Sequence, residues 1–251
     1  MEKNNQKNKT SFGETINSLV IAVILAMLFR SLLFEPFYIP SGSMKSTLLV
    51  GDYLFVSKYN YGYSRYSFPF GLPIFKGRIF EDKPQVGDVV VFRLPKNPSI
   101  NYIKRLIGLP GDKIQMIDGK LHINGKKLDV KQIDNFIDKD QHGNEVAIAR
   151  YIETLPNGVS HTILDQDLFG PLDNTHIYEV PEGHYFFMGD NRDNSQDSRM
   201  LNEVGFVPEE NILGPAGRIF FSSEYPFYQF WKWPSSLRFE RFFDDVNYQE
   251  Q

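Results

Sequence analysis

The sequence predicts a mostly β fold, an antiparallel β-sheet domain with a smaller inserted β-rich domain, preceded by one N-terminal transmembrane helix. Three observations predict it. A single long apolar run lies near the N-terminus, the rest divides into short segments rich in β-branched and aromatic residues, and Asp-Gly and Asn-Gly dipeptides punctuate those segments. With 251 residues, 41% of them hydrophobic, the chain can bury one large core or two small ones, which excludes disorder throughout. Its 19 glycines and 15 prolines are an ordinary share, so collagen-like and linker-dominated chains are excluded too. The lack of cysteine removes a disulfide scaffold, a thiol nucleophile, an iron–sulfur cluster and a thiolate zinc site. A net charge of −4 argues against nucleic acid as the partner.

The helix comes first. Leu19 to Phe29 carries no polar side chain, and from Ile16 to Phe34 the only charge is Arg30. As a helix, residues 16–34 are roughly 28 Å long, enough to cross a hydrocarbon core, and Arg30 lies close enough to the end to snorkel toward headgroups. A cleaved secretory signal peptide is the rival reading, since Lys3, Lys7 and Lys9 precede the apolar run. No cleavage triplet follows it directly. Leu32, Leu33, Phe34 and Glu35-Pro36 come next, and Ser41-Gly42-Ser43 is too far downstream, so the segment reads as a retained anchor. Three lysines before the run against Lys45 alone soon after it place residues 1–15 in the cytoplasm and the chain beyond about 35 outside.

The strands follow. Segments 53–57, 88–93, 100–107 and 113–117 are short, β-branched or aromatic, and bounded by Gly and Pro. Asp118-Gly119 predicts a two-residue hairpin between 114–117 and 120–123, and Asn124-Gly125 predicts another. Residues 129–178 are more polar and weakly periodic, an inserted excursion. The β domain is therefore assigned to 35–128 and 179–251, the chain returning to it through 183–189 and 216–221. There is no long amphipathic helix and no internal repeat.

Three segments carry chemistry. Pro40-Ser-Gly-Ser-Met sets two serines within reach of the membrane surface, although by itself it also reads as a turn. In Asn101-Tyr-Ile-Lys-Arg-Leu-Ile-Gly-Leu-Pro-Gly-Asp, strand alternation puts Lys104 on one face with Ile100, Tyr102 and Leu106, and Arg105 on the other with Ile103 and Ile107. Lys104 is then either a strand-edge lysine whose ammonium reaches water, or a buried amine with a lowered pKa that serves as a general base. Gly189-Asp-Asn-Arg-Asp-Asn-Ser-Gln-Asp-Ser-Arg is dense in self-bonding polar groups. Its spacing does not fit a calcium loop, because Arg192 occupies a ligand position and no glutamate closes the loop. A capped, ion-paired turn with Asp197 and Arg199 on one face is the plain alternative. None of the five histidines falls in these segments, so a serine activated by lysine is the arrangement that remains.

At these residues the chain resembles the bacterial type I signal peptidases, membrane-anchored Ser/Lys endopeptidases that remove signal peptides from exported preproteins. The likeness runs from the anchor to about residue 220, with the three motifs in the family's order and intervals. It implies Ser43 as nucleophile, Lys104 as general base, and Ser41 as an oxyanion donor beside the Ser43 N–H. It further implies that Ser195 positions the lysine amine and that Asp197 and Arg199 form the ion pair behind it. Phe37, Ile39, Met44, Leu48, Tyr102 and Ile103 would line shallow pockets for small residues at the −1 and −3 positions of the substrate. The expected partners are signal peptides of exported preproteins and the lipid bilayer; no nucleic acid, metal or organic cofactor is implied. The expected location is the bacterial inner (plasma) membrane, single-pass, with a cytoplasmic N-terminus and the catalytic domain on the periplasmic side.

One departure is visible. Lys45-Ser46-Thr47 stands where many members have Met-Pro-Thr, loosening the turn and adding a charge near the primed side. Two other readings stay open: an anchored, inactive β-rich binding protein, and a Ser/Lys protease that cuts itself or a regulator. The tail Tyr225–Phe243 holds nine aromatics, either an interfacial belt or a packed terminal segment.

Overall fold

The computed structural model describes residues 12–68, 71, 75–140, 142–167 and 169–247, so Lys3, Lys7 and Lys9 lie outside the described residues. The apolar run forms the helix Phe12–Leu32, and none of its most apolar window is buried against the rest of the molecule. The helix is offset from the expected 16–34. It begins earlier, where Glu14 complements the positive end of the helix dipole, and it stops at Leu32. Pro36 pushes Glu35 toward extended backbone, and Phe34 already opens a strand.

Seven antiparallel strands make the main sheet, in the order Phe34–Tyr38, Asp52–Ser57, Ile212–Ser222, Val89–Leu94, Asn97–Gly108, His184–Met188 and Val207–Pro208. Both faces are apolar. Val89, Val91 and Ile103 join Ile39, Met44, Leu48 and Leu54 in one cluster, while Val90, Phe92, Leu106 and Phe187 form another. Continuous runs such as Val89-Val-Val-Phe suit a strand covered on both sides. A four-stranded sheet holds Tyr178–Glu179, Lys113–Ile117, Lys120–Ile123 and Lys126–Lys127. Its two hairpins turn where the dipeptides predict. Asp118 and Gly119 have φ of 48° and 70°, and Asn124 and Gly125 have 54° and 77°, the doubly left-handed turn that matches strand twist.

Residues 129–164 form a three-stranded sheet, Asp129–Gln132, Arg150–Thr154 and Ser160–Leu164, and a hairpin, Phe136–Lys139 with Glu145–Ile148. The C-terminal tail winds through the 3-10 helices Phe227–Ser235 and Phe239–Arg241. Trp233 and Phe242 pack on Phe221, whereas Tyr228, Phe230, Trp231, Phe239 and Phe243 face outward; the Phe227 side chain lies outside the described residues.

Candidate active site

Two strands and the loops that leave them build the site. The edge strand Phe34–Tyr38 is followed by a turn that returns to Asp52–Ser57, closed by Ile39 N–H to Asp52 O at 2.9 Å and Gly51 N–H to Ile39 O at 3.0 Å. Gly51 has φ of +94°, and a Cβ there would fall 1.8 Å from Ser223 O, so only glycine closes this turn. Met44 and Leu48 lie one helical turn apart, with Leu48 N–H bonded to Met44 O, and both are fully buried in the core. These two apolar plugs hold Ser41 and Ser43 at the rim. That position corrects the expectation that Met44 and Leu48 line substrate pockets: their side chains point into the core.

Lys104 comes from the strand Asn97–Gly108, opposite Val90. Its Nζ hydrogen-bonds Ser43 Oγ at 2.6 Å and donates to Ile103 O at 3.0 Å. Residue exposures are 4% for Lys104 and 7% for Ser43. Burial lowers the lysine strongly, the Asp197 and Asp190 carboxylates pull it partway back, and it settles at about 8. The apolar surroundings differ in one member from the strand-face reading. Tyr102 and Leu106 belong to the apolar cluster on this face, but Ile100 is 44% exposed at the groove, because it falls in the irregularity between Asn97 and Asn101, where the pairing with Val89–Leu94 shifts register. Ser41 Oγ lies 3.4 Å from Ser43 Oγ, on the open side of the nucleophile.

The loop 189–199 leaves the strand His184–Met188 beside Arg105, whose register partner is Met188. Asn191 clamps the serine turn: its N–H bonds Ser43 O at 3.1 Å and its Nδ2 bonds Gly42 O at 3.0 Å. Asp197 and Arg199 form a bidentate buried pair, both contacts 2.9 Å, and Gly189 N–H adds a third bond to the carboxylate. Burial alone would raise Asp197; the Arg199 guanidinium overrides it and holds the carboxyl below its usual range. Ser195 is buried beside them and lines the groove, and its hydroxyl helps hold the Asp197 carboxyl low; among the described residues no hydrogen bond joins it to the Lys104 amine. Lys104 is instead oriented by Ser43 and the Ile103 carbonyl.

Behind the loop lies a charge cluster that reading the sequence missed. Arg105 grips Asp190 through two bonds of 2.9 and 2.7 Å, Thr47 donates to the same carboxylate at 2.5 Å, and Arg192 donates to Glu153 at 3.0 Å. His161 sits between Glu153 and Asp190, and burial holds it neutral, its pKa near 4. Glu153 and His161 come from the excursion after residue 129, and so do Asp138, which pairs with Lys45, and Thr162, which bonds Ser46. The unusual Lys45-Ser46-Thr47 is thus the seam between the serine turn and that excursion. A signal was present in Arg105, a guanidinium alternating with isoleucines on an inner strand, which demands a buried carboxylate.

The groove in front of Ser43 has a volume of about 680 Å³, and Phe37, Ile39, Tyr102 and Ile103 are among its walls. A groove with apolar walls on one side, polar residues of the loop 189–199 on the other, and a serine bonded to a desolvated lysine within it suits acyl transfer.

Comparison with known proteins agrees. The family model described as "Signal peptidase, peptidase S26" matches residues 12–221. The signal peptidase I of Rickettsia typhi (strain ATCC VR-144 / Wilmington) is 44% identical over 235 residues, covering 89% of this chain and 86% of that protein. That of Rickettsia canadensis (strain McKiel) is 46% identical over 228 residues, covering 86% and 82%. The crystal structure of a signal peptidase I from Enterococcus faecalis V583 shares 29% identity, covers 53% of this chain and 97% of that one, and has a TM-score of 0.32. The family model and the two Rickettsia relatives define a peptidase. The chain belongs to the signal peptidase family, peptidase S26, and is a serine peptidase that removes signal peptides.

Proposed function

We propose that Ser43 is the nucleophile and Lys104 its general base in the removal of signal peptides from exported preproteins. The observation that carries this is the 2.6 Å contact between Lys104 Nζ and Ser43 Oγ, made by an amine desolvated enough to lose its proton near pH 8. The neutral amine accepts the Ser43 hydroxyl proton as Oγ attacks the scissile carbonyl. The Ser41 hydroxyl and the Ser43 N–H face the developing oxyanion. The resulting ammonium gives its proton to the leaving amine, after which the same amine, neutral again, takes a proton from the water that hydrolyses the ester. Phe37, Ile39, Tyr102 and Ile103 receive the small side chains at −1 and −3.

The helix Phe12–Leu32 anchors the chain in a bacterial inner membrane with the N-terminus in the cytoplasm and the β domain on the periplasmic face. The outward aromatics Tyr228, Phe230, Trp231, Phe239 and Phe243 suit an interfacial belt that brings the groove to the membrane surface, where signal peptides emerge. The test is to incubate detergent-solubilised protein with a preprotein and sequence the new N-terminus. A cut behind an apolar run after a small-x-small junction, lost in Ser43→Ala and Lys104→Ala, is expected. Undiminished cutting by folded Lys104→Ala would refute the base assignment.

A further inference from the structure

A second cavity lies where the helix meets the sheet. Its volume is about 330 Å³, within the lower range of ligand sites, and its walls include Arg30, Ser31, Glu35, Lys58 and Arg93. The last turn of the helix is tied to the sheet around it: Lys58 N–H bonds Leu33 O at 2.9 Å, and the Tyr63 hydroxyl bonds Leu32 O at 2.8 Å. The cavity therefore sits at the depth of the membrane surface.

Its charges do not balance. Arg30 donates from Nε to one oxygen of Glu35 at 3.0 Å, and Lys58, 3% exposed, reaches the other at 2.6 Å. That single carboxylate is shared by two cations. Arg93, on the strand Val89–Leu94, is the third cation, and it forms no ion pair among the described residues. Its Nε is buried and has no hydrogen-bond partner, which is costly for a guanidinium N–H. Three cations against one anion, with Arg93 among the walls and its buried Nε without a hydrogen-bond partner among the described residues, form a site short of one oxyanion.

We propose that this cavity binds a phosphate group, and that its source is the headgroup of an anionic glycerophospholipid in the leaflet that receives the end of the helix. Arg93 supplies the unused guanidinium, Arg30 turns from the helix to close the outer side, and Lys58 adds charge from below. The apolar walls of Tyr66 and Phe68 face the remainder of the headgroup. The lipid source rests on the anchor reading; the phosphate chemistry does not. An occupied site would lock the angle between the helix and the sheet that carries Ser43.

The test uses the full chain in a nonionic detergent, with dihexanoyl phosphatidylglycerol, dihexanoyl phosphatidylcholine and inorganic phosphate as probes, and binding read by intrinsic fluorescence and thermal shift. Phosphatidylglycerol is expected to bind about tenfold more tightly than phosphatidylcholine, the value of one charge-assisted bond. Arg93→Gln and the more exposed Arg30→Gln should each reduce that preference at least about fivefold, and Arg93→Lys should restore part of it. Preprotein cleavage in lipid-free detergent should stay unchanged, which separates a binding loss from misfolding; if Arg93→Gln does not fold, Arg30→Gln carries the test. Inorganic phosphate binding as tightly as phosphatidylglycerol, with the same dependence on Arg93, would overturn the lipid source and uphold the phosphate site. Equal binding of both lipids would overturn the preference for an anionic headgroup, and indifference to Arg93→Gln and Arg30→Gln would overturn the site itself. Resistance to alkaline carbonate extraction, scored separately, reports on the anchor alone.

Discussion

In the proposed dyad Lys104 takes the base role that histidine performs in other serine hydrolases, and the exchange has a pH signature. Lys104 is usable only when neutral, and burial brings it to about 8, so kcat/KM should rise with pH through a single ionisation near that value and fall below it as the amine gains its proton. Replacing His122, His142, His176 and His184 together should leave that limb in place. A limb near pH 6.5 that disappears with one of them would transfer the base role to a histidine. Lys104→Arg should be as inactive as Lys104→Ala, because a guanidinium does not give up its proton near neutrality. Ser41→Ala should cost about 10²- to 10³-fold in kcat with little change in KM, the usual loss for one oxyanion donor. Ser43 and Lys104 were singled out in the sequence because their three segments together resemble a known family; each segment alone also allowed a plain turn or a strand-edge lysine. The surroundings of the Ser195 hydroxyl and the buried positions of Met44 and Leu48 were not legible, since a motif gives identity and order but not the direction of a side chain.

The loop 189–199 is the element that makes the dyad possible, and its first residues leave no room for error. A Cβ on Gly189 would lie 2.2 Å from Ser195 Oγ and 2.6 Å from Ser43 O, so Gly189→Ala should drive the serine turn away from the loop. The expected result is a loss of kcat of more than about tenfold in protein that still folds, since an ångström of misplacement costs about 10². Normal kcat in Gly189→Ala would mean that the turn moves freely. One residue on, Asp190→Asn leaves the Arg105 guanidinium buried without its anion. Unfolding in urea should show a stability loss of about 3 kcal/mol or more; a loss below about 1 kcal/mol, the level of an exposed pair, would show that water reaches Arg105. Strands and hairpins were readable here wherever turn chemistry is local, as at Asp118-Gly119 and Asn124-Gly125. The Glu153–Arg192 and Arg105–Asp190 pairs were not, because their partners lie 39 and 85 positions apart and pair only after the sheets dock.

Across the whole molecule, two properties follow from where charge is placed. A reporter active only outside the cytoplasm should signal when fused after about residue 60 and stay silent after about residue 12, and the reverse pattern would invert the proposed topology. Acid should set two buried groups against each other. His161 has an ordinary value of 6.5 and stands near 4 in the folded chain, so between those values the unfolded chain binds a proton that the folded chain refuses. The His161 contribution then falls as pH drops from 6.5 toward 4, by up to about 1.4 kcal/mol per pH unit, while Asp165, raised by burial to about 6, contributes in the opposite sense below that value. Thermal unfolding at pH 7, 6 and 5 should therefore show the wild type losing more stability on acidification than His161→Asn; the same pH dependence in both would place His161 in contact with water. The sequence by itself determined the apolar helix, the antiparallel β class and the hairpin turns. Each follows from local periodicity or turn geometry, whereas Ser43 and Lys104 were singled out by the resemblance of their motifs to a known family. Only the tertiary structure decided which carboxylates neutralise Arg105 and Arg192, that Lys45 and Ser46 bond to the excursion after residue 129, and that Arg30 and Lys58 share Glu35 at the foot of the helix. The reason is physical: a buried charge must be satisfied, but the chain distance to its partner is set by how the sheets pack, and no local pattern records it.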